Sequence, residues 1–158
     1  MSLQGASPIL FESVSAVTAT NSVQLGTRRV VGGEEYVYCY AVGAVSASVG
    51  CSISGVSGYS IVATGIISGA FCFGFVKHAD IPAASYGWVL KRGFISSPVN
   101  GMASTAFVAT DGVMLAADGK IANAAAAVGG HLLGRVTTTC VSGGTGGSNA
   151  GAIYVSVV

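Results

Sequence analysis

Apolar residues in this chain recur at every second position over short runs, and glycines or small polar clusters end each run before a helical period develops. The clearest case is the segment 34–40, Glu-Glu-Tyr-Val-Tyr-Cys-Tyr. As a strand it puts Tyr36, Tyr38 and Tyr40 on one face and Val37 and Cys39 on the other. The run before it, 23–31, reads as a strand kinked at Gly26, and the intervening Gly32-Gly33 predicts a tight hairpin. Further strands are predicted over 59–67, 70–78 and 86–95. In the second of these, Phe71, Phe73 and Phe75 alternate with Cys72 and Gly74, which would place three rings on one face. Residues 81–84 and 97–101 read as turns. Asp118-Gly119 sits at the centre of another predicted hairpin spanning 113–121. Residues 123–128 are the one candidate short helix, with Asn123 able to cap its start. Strands are predicted again over 134–141 and 152–158, flanking a glycine-rich loop at 143–149.

This pattern predicts a mainly β fold, a compact β-sandwich or barrel of short glycine-punctuated strands and hairpins with at most one or two short helices. Residues 1–22 keep no period. They read as an extended N-terminal arm preceding a single body domain, 23–158. Within the arm Ile9, Leu10 and Phe11 are adjacent, so they cannot share one face of a strand. A neighbouring subunit is the expected cover for them.

Composition narrows the picture. Charged residues are 8% of the 158 positions and hydrophobic residues 51%, with a mean hydropathy of +0.70. A free domain of this size ordinarily carries about 25% charge, so the chain is expected to bury surface against partners. The excess is carried by Ala, Val and Gly, which suits flat β packing with close backbone approach. The uncharged stretch 41–76 raises a membrane alternative, and Gly65 and Gly69 even have the spacing that lets membrane helices touch. Its strongly apolar part, 61–76, is short for a spanning helix, and Ser and Gly crowd the approach to it. Net charge is +1. The only adjacent cations are Arg28-Arg29 and Lys91-Arg92, too few for direct nucleic-acid binding by counterion release.

Chemistry is sparse. Six acids and two histidines supply little from which to build an active site, and no Gly-x-Ser-x-Gly elbow occurs. Gly143–Gly147 is not followed by the Lys of a phosphate loop. Glu34 and Glu35 are neighbours and point to opposite faces of a strand, so they do not pair as acid and base. His78 and Asp80 lack a third partner, and His131 precedes an apolar pair. The cysteines at 39, 51, 72 and 140 have no close paired spacing, so no metal is expected. No cofactor is expected either. The N-terminus does not resemble a secretory signal, which suggests synthesis in a reducing cytoplasm with free thiols. A Cys39–Cys51 bridge is the alternative.

Four segments carry a resemblance. Leu25-Gly-Thr-Arg-Arg followed by Gly-Gly-Glu-Glu-Tyr-Val-Tyr40 resembles the opening of small head structural proteins of tailed phages. Ala83-Ala-Ser-Tyr-Gly-Trp-Val-Leu-Lys-Arg-Gly93 resembles their Tyr-Gly-Trp-Val strand. Residues 108–121 resemble their hairpin, and Leu133-Gly-Arg-Val136 their Ile-Gly-Arg-Ala strand. The resemblance runs over about residues 23–158 and implies a capsid decoration or cement protein without enzymatic activity. Such a protein binds the major capsid protein on the virion exterior as a homotrimer, with no membrane and no nucleic acid. Other virion components, such as a head-fibre base, a tail subunit or a minor capsid protein, are the alternative, followed by a small membrane-associated protein. Candidate subunit and capsid contacts are Ile9, Leu10, Phe11, Arg28, Arg29, Trp88, Lys91 and Arg92. Trp88 has a competing reading as a core anchor.

Overall fold

The structure, a computed structural model, describes residues 13–54, 58–62, 72–96 and 153–157, and the backbone of three further strands within 112–136. Eleven strands run in chain order: β1 (Val17–Thr18), β2 (Arg28–Val31), β3 (Glu34–Ala41), β4 (Gly50–Ile53), β5 (Ser60–Val62), β6 (Cys72–Val76), β7 (Ser85–Ile95), β8 (Gly112–Leu115), β9 (Ile121–Asn123), β10 (Gly134–Val136) and β11 (Ile153–Ser156). The fold is mainly β, with no helix among the described residues. In particular, none of them forms a helix long and apolar enough to cross a membrane. Asn123 ends β9, and the rest of the candidate helix lies outside the described residues.

Five strands close into a barrel. β3 pairs β5 in parallel, β5 pairs β4, β4 pairs β6, β6 pairs β7, and β7 returns to β3, all but the first antiparallel. The 11-residue β7 is the spine. One of its edges is given to β3 from Ser85 to Arg92, and the other is shared by β1 at Tyr86 and Gly87, β6 at Val89 and Leu90, and β11 from Arg92 to Ile95. Beyond β11 the sheet continues through β10 and β8 to β9. β8 and β9 form the hairpin predicted around Asp118-Gly119, although residues 116–120 themselves lie outside the described residues.

The expected β2–β3 hairpin is present, with Gly32 at φ 59° and Gly33 at φ 83°. Two successive left-handed residues match the twist of the flanking strands, and only glycine takes both positions without strain. The alternation of β3 also holds. Val37, Cys39 and Ala41 face the barrel interior with Cys51, Ile61, Val76 and Val89, and Val45 and Ile81 close over them. Tyr36 and Tyr38 face outward into a second core with Phe75, Trp88, Leu90, Ile95 and Val155. The central strands are therefore apolar on both faces.

Two expectations are corrected. Phe73 and Phe75 do not share a face: Phe75 is buried in the outer core, whereas Phe73 packs at the barrel cluster. The cause is a register shift in the β4–β6 pairing, where Cys51 opposes Gly74 but Ser52 opposes Cys72. The extra residue, Phe73, flips the alternation as a β-bulge does. Phe71 lies outside the described residues. Second, residues 13–22 lie on the chain's own body. Val17 and Thr18 pair with Gly87 and Tyr86, Val14 packs on the outer core, and the hydroxyls of Thr18 and Ser22 lie 3.2 and 3.0 Å from Tyr38 Oη. Gly87 makes room for a side chain, since a Cβ there would stand 2.7 Å from Ile81 Cδ1.

Candidate functional site

The β3–β7 ladder is itself irregular near its end. Tyr36 opposes Leu90 but Glu35 opposes Arg92, so Lys91 is the extra residue of a bulge. The bulge separates the fates of Lys91 and Arg92. Lys91 turns in across the barrel mouth, donating to the Phe73 carbonyl at 2.7 Å with its ammonium 4.4 Å from the centre of the Phe73 ring. Burial, together with the Arg28 charge, holds its pKa below the ordinary lysine value. Arg92 stays exposed and donates from Nε to Tyr154 Oη at 2.7 Å. This hydrogen bond, and Glu35 behind it, raises the Arg92 pKa further. Beside it Phe94, 51% exposed, meets Tyr154 edge-on with ring centres 5.0 Å apart. Arg28 approaches from β2 and pairs with Glu35 at 2.8 Å. Three of the chain's seven Lys and Arg residues thus gather at one end of β7, with Glu35, held by Arg28, the one carboxylate among the described residues that pairs with them.

On the neighbouring side Glu34 accepts four hydrogen bonds from three donors. Lys77 Nζ donates to both carboxylate oxygens at 2.6 Å, Tyr36 Oη donates at 2.6 Å, and the Phe94 N–H donates at 3.0 Å. Burial alone would raise the Glu34 pKa; the Lys77, Tyr36 and Phe94 bonds outweigh it and hold the carboxyl below its ordinary value. Tyr36 directs its one hydroxyl hydrogen to Glu34, so His78, whose Nε2 lies 3.0 Å from the phenol oxygen, must donate from Nε2. Burial and the adjacent Lys77 charge lower the His78 pKa, while burial and Glu34 raise that of Tyr36. Gly93, at φ 146°, is required where β7 passes this cluster, because a Cβ would meet Glu34 Cγ at 2.8 Å. The network ties the start of β3, the end of β6 and the bend of β7 together.

Cys39, Cys51 and Cys72 are free and buried. Burial pushes Cys39 and Cys72 up to about 12 and Cys51 well above its ordinary value, so all three remain protonated thiols. Cys51 and Cys72 both donate to the Gly74 carbonyl. Asp80 accepts from the Ala47 N–H at 2.7 Å, as a turn residue does. No group of three or more His, Cys, Asp or Glu among the described residues is arranged to hold a metal ion.

The candidate contacts named from sequence separate. Arg28 and Arg92 join the exposed surface, while Lys91 is turned inward. Arg29 lies on the other face of β2, 6.0 Å from the centre of the Trp88 ring. Trp88 is 3% exposed and belongs to the outer core, which removes it from the contact surface. Ile9, Leu10 and Phe11 lie outside the described residues. Phe94, Tyr154 and the Glu34 cluster were not singled out in the sequence. Phe94 follows Gly93 at the end of an alternating strand, and that was the one local cue. No protein-family model matches the sequence, and no curated protein matches it.

Proposed function

We propose that this protein is a structural subunit without turnover that binds the outer surface of an assembled phage capsid and stabilises it, acting as a homotrimer on the major capsid protein. The observation that carries the reading is the combination of a closed, doubly cored β body with large apolar side chains left in water. Val30 is 71% exposed on β2, at the edge of the sheet path, and Val31, Val42, Ile53, Tyr59 and Phe94 are exposed as well. A strand at the end of the sheet path that carries exposed apolar side chains invites a partner. The polar groups that chemistry would need are engaged in holding strands together: Glu34 by four hydrogen bonds, Tyr36 as a donor, the thiols by burial. The phage-head resemblance of residues 23–158 supplies the particular partner.

The test is location. An antibody against the recombinant chain should label the exterior of intact purified particles, and a cryo-EM map of those particles should show the barrel on the capsid. Label confined to the tail would replace the reading with another virion component, and absence from particles would overturn it. Sedimentation equilibrium of the free protein without detergent should give the trimer mass.

A further inference from the structure

The surface around Arg92 has a chemistry that selects its partner. The Arg92 Nε is fixed by Tyr154 Oη, which orients the guanidinium plane, and the side chain makes no other hydrogen bond among the described residues. Its outer nitrogens form a presented fork, the geometry that takes both oxygens of a carboxylate. Arg28, with its side chain 70% exposed, holds Glu35 through Nη1 alone. Lys91 adds a third positive charge close behind. Of the two carboxylates near this face among the described residues, Glu34 is paired with Lys77, and Glu35 alone stands against Arg28 and Arg92, so the surface is left electropositive. Phe94 and Tyr154 form an apolar ledge directly beside the fork.

We propose that this face, Arg28, Arg92, Phe94 and Tyr154, docks an acidic segment of a partner protein. An Asp or Glu carboxylate would seat on the Arg92 fork, and an adjacent apolar or aromatic side chain on Phe94. The proposal rests on the reading of the chain as a binding subunit and names the chemistry of the partner's contact. Charge complementarity argues for it: a positive face with an oriented guanidinium gains most from a carboxylate that brings its own apolar neighbour. A nucleic acid fits less well. Binding of that kind draws its affinity from several phosphate contacts, and here one of three cations already holds a carboxylate while another is turned into the barrel mouth.

The test uses the full chain and capped synthetic hexapeptides in place of the unidentified partner. One alternates Glu and Phe, a second Gln and Phe, a third Lys and Phe. Affinities are read by NMR titration of the isotope-labelled protein, which also locates the site. The Glu–Phe peptide should bind about tenfold more tightly than the Gln–Phe peptide, the Lys–Phe peptide should not bind, and shifts should centre on Arg92, Phe94 and Tyr154. Arg92→Gln should abolish the preference for Glu. Arg92→Lys, which keeps the charge and loses the fork, should weaken binding several-fold, and both variants should keep the wild-type spectrum elsewhere because Arg92 is exposed. Equal affinity for the Glu and Gln peptides, shifts centred elsewhere, or tighter binding of a single-stranded DNA oligonucleotide than of the Glu–Phe peptide would overturn the proposal. Any of these would leave the particle-labelling result untouched, so the two readings fail separately.

Discussion

Replacing Glu34 by Gln tests whether the cluster of four hydrogen bonds on this carboxylate holds the barrel together. Gln keeps the shape and can still accept from Tyr36 or the Phe94 N–H, so the change removes mainly the charge. The Lys77 and Glu34 side chains are 22% and 18% exposed. An exposed pair contributes about 0–1 kcal/mol, and breaking a fully buried one costs about 3–5 kcal/mol. This pair lies between those limits, and the additional charge-assisted bonds place the expected loss at about 2 kcal/mol. With a urea m-value of about 2 kcal/mol/M, the midpoint at pH 7 should fall by about 1 M. The pH dependence has a definite sign. The folded carboxyl titrates below its ordinary value of 4.5, so its contribution is complete above that pH and is lost as pH falls through the folded pKa. The gap between wild type and Glu34→Gln should therefore be constant near neutrality and close on acidification. A Lys77→Met variant completes a double-mutant cycle and should show coupling of about 1 kcal/mol or more. Equal midpoints at pH 7, or a gap that persists unchanged well below pH 4.5, would refute the reasoning.

Further outcomes follow from the packing. Gly74→Ala should destabilise severely, because its Cβ would lie 2.6 Å from Val89 Cγ1 and 2.7 Å from the Leu90 carbonyl oxygen, which is backbone. Gly87→Ala, meeting only the end of Ile81, should cost less and be partly rescued by Ile81→Val, all read by thermal unfolding. Cys39, Cys51 and Cys72 should not react with a thiol reagent in the native protein at pH 8, and should react on denaturation without reductant; native reactivity would contradict their burial. Deleting residues 1–22 should lower the thermal midpoint, since it removes β1 and the partners of the Tyr38 hydroxyl. An unchanged midpoint would show that 13–22 contribute nothing to the body.

What could be read from sequence was local. Tyr36 and Tyr38 alternate with Val37 and Cys39 because a regular strand has period two, and Gly32-Gly33 signals its turn without outside help. Phe73 could not be placed, because its face depends on a bulge set by register against β4. Lys91 and Arg92 separate for the same reason, through register against β3. The Glu34 cluster joins residues separated in sequence by 43 positions to Lys77 and 60 to Phe94, and no nearby pattern announces such a meeting. β1 was hidden because two residues suffice once β7 offers an edge, and two residues show no period.

The low charge content acquires a more specific explanation than assembly alone. β3 and β7 are covered on both faces, by the barrel interior and by the outer core. Two hydrophobic layers are thus drawn from one pair of strands, so part of the hydrophobic content is accounted for within the chain. Part of the exposed apolar surface among the described residues has a definite place. Val30 and Val31 lie on β2, the strand that begins the sheet path, and Phe94 lies where β7 runs beyond β3 to pair with β11. Arg28 and Arg92, exposed at the same end, flank Glu35, which opposes Val30 in the ladder. Val30 and Phe94, part of the apolar surface without internal cover, and the cations without full internal compensation therefore belong to one region, while Val42, Ile53 and Tyr59 are exposed elsewhere. A partner that met only one of these needs would leave either valine and phenylalanine in water or guanidinium charge buried without a counter-ion. An acidic segment with apolar neighbours meets both.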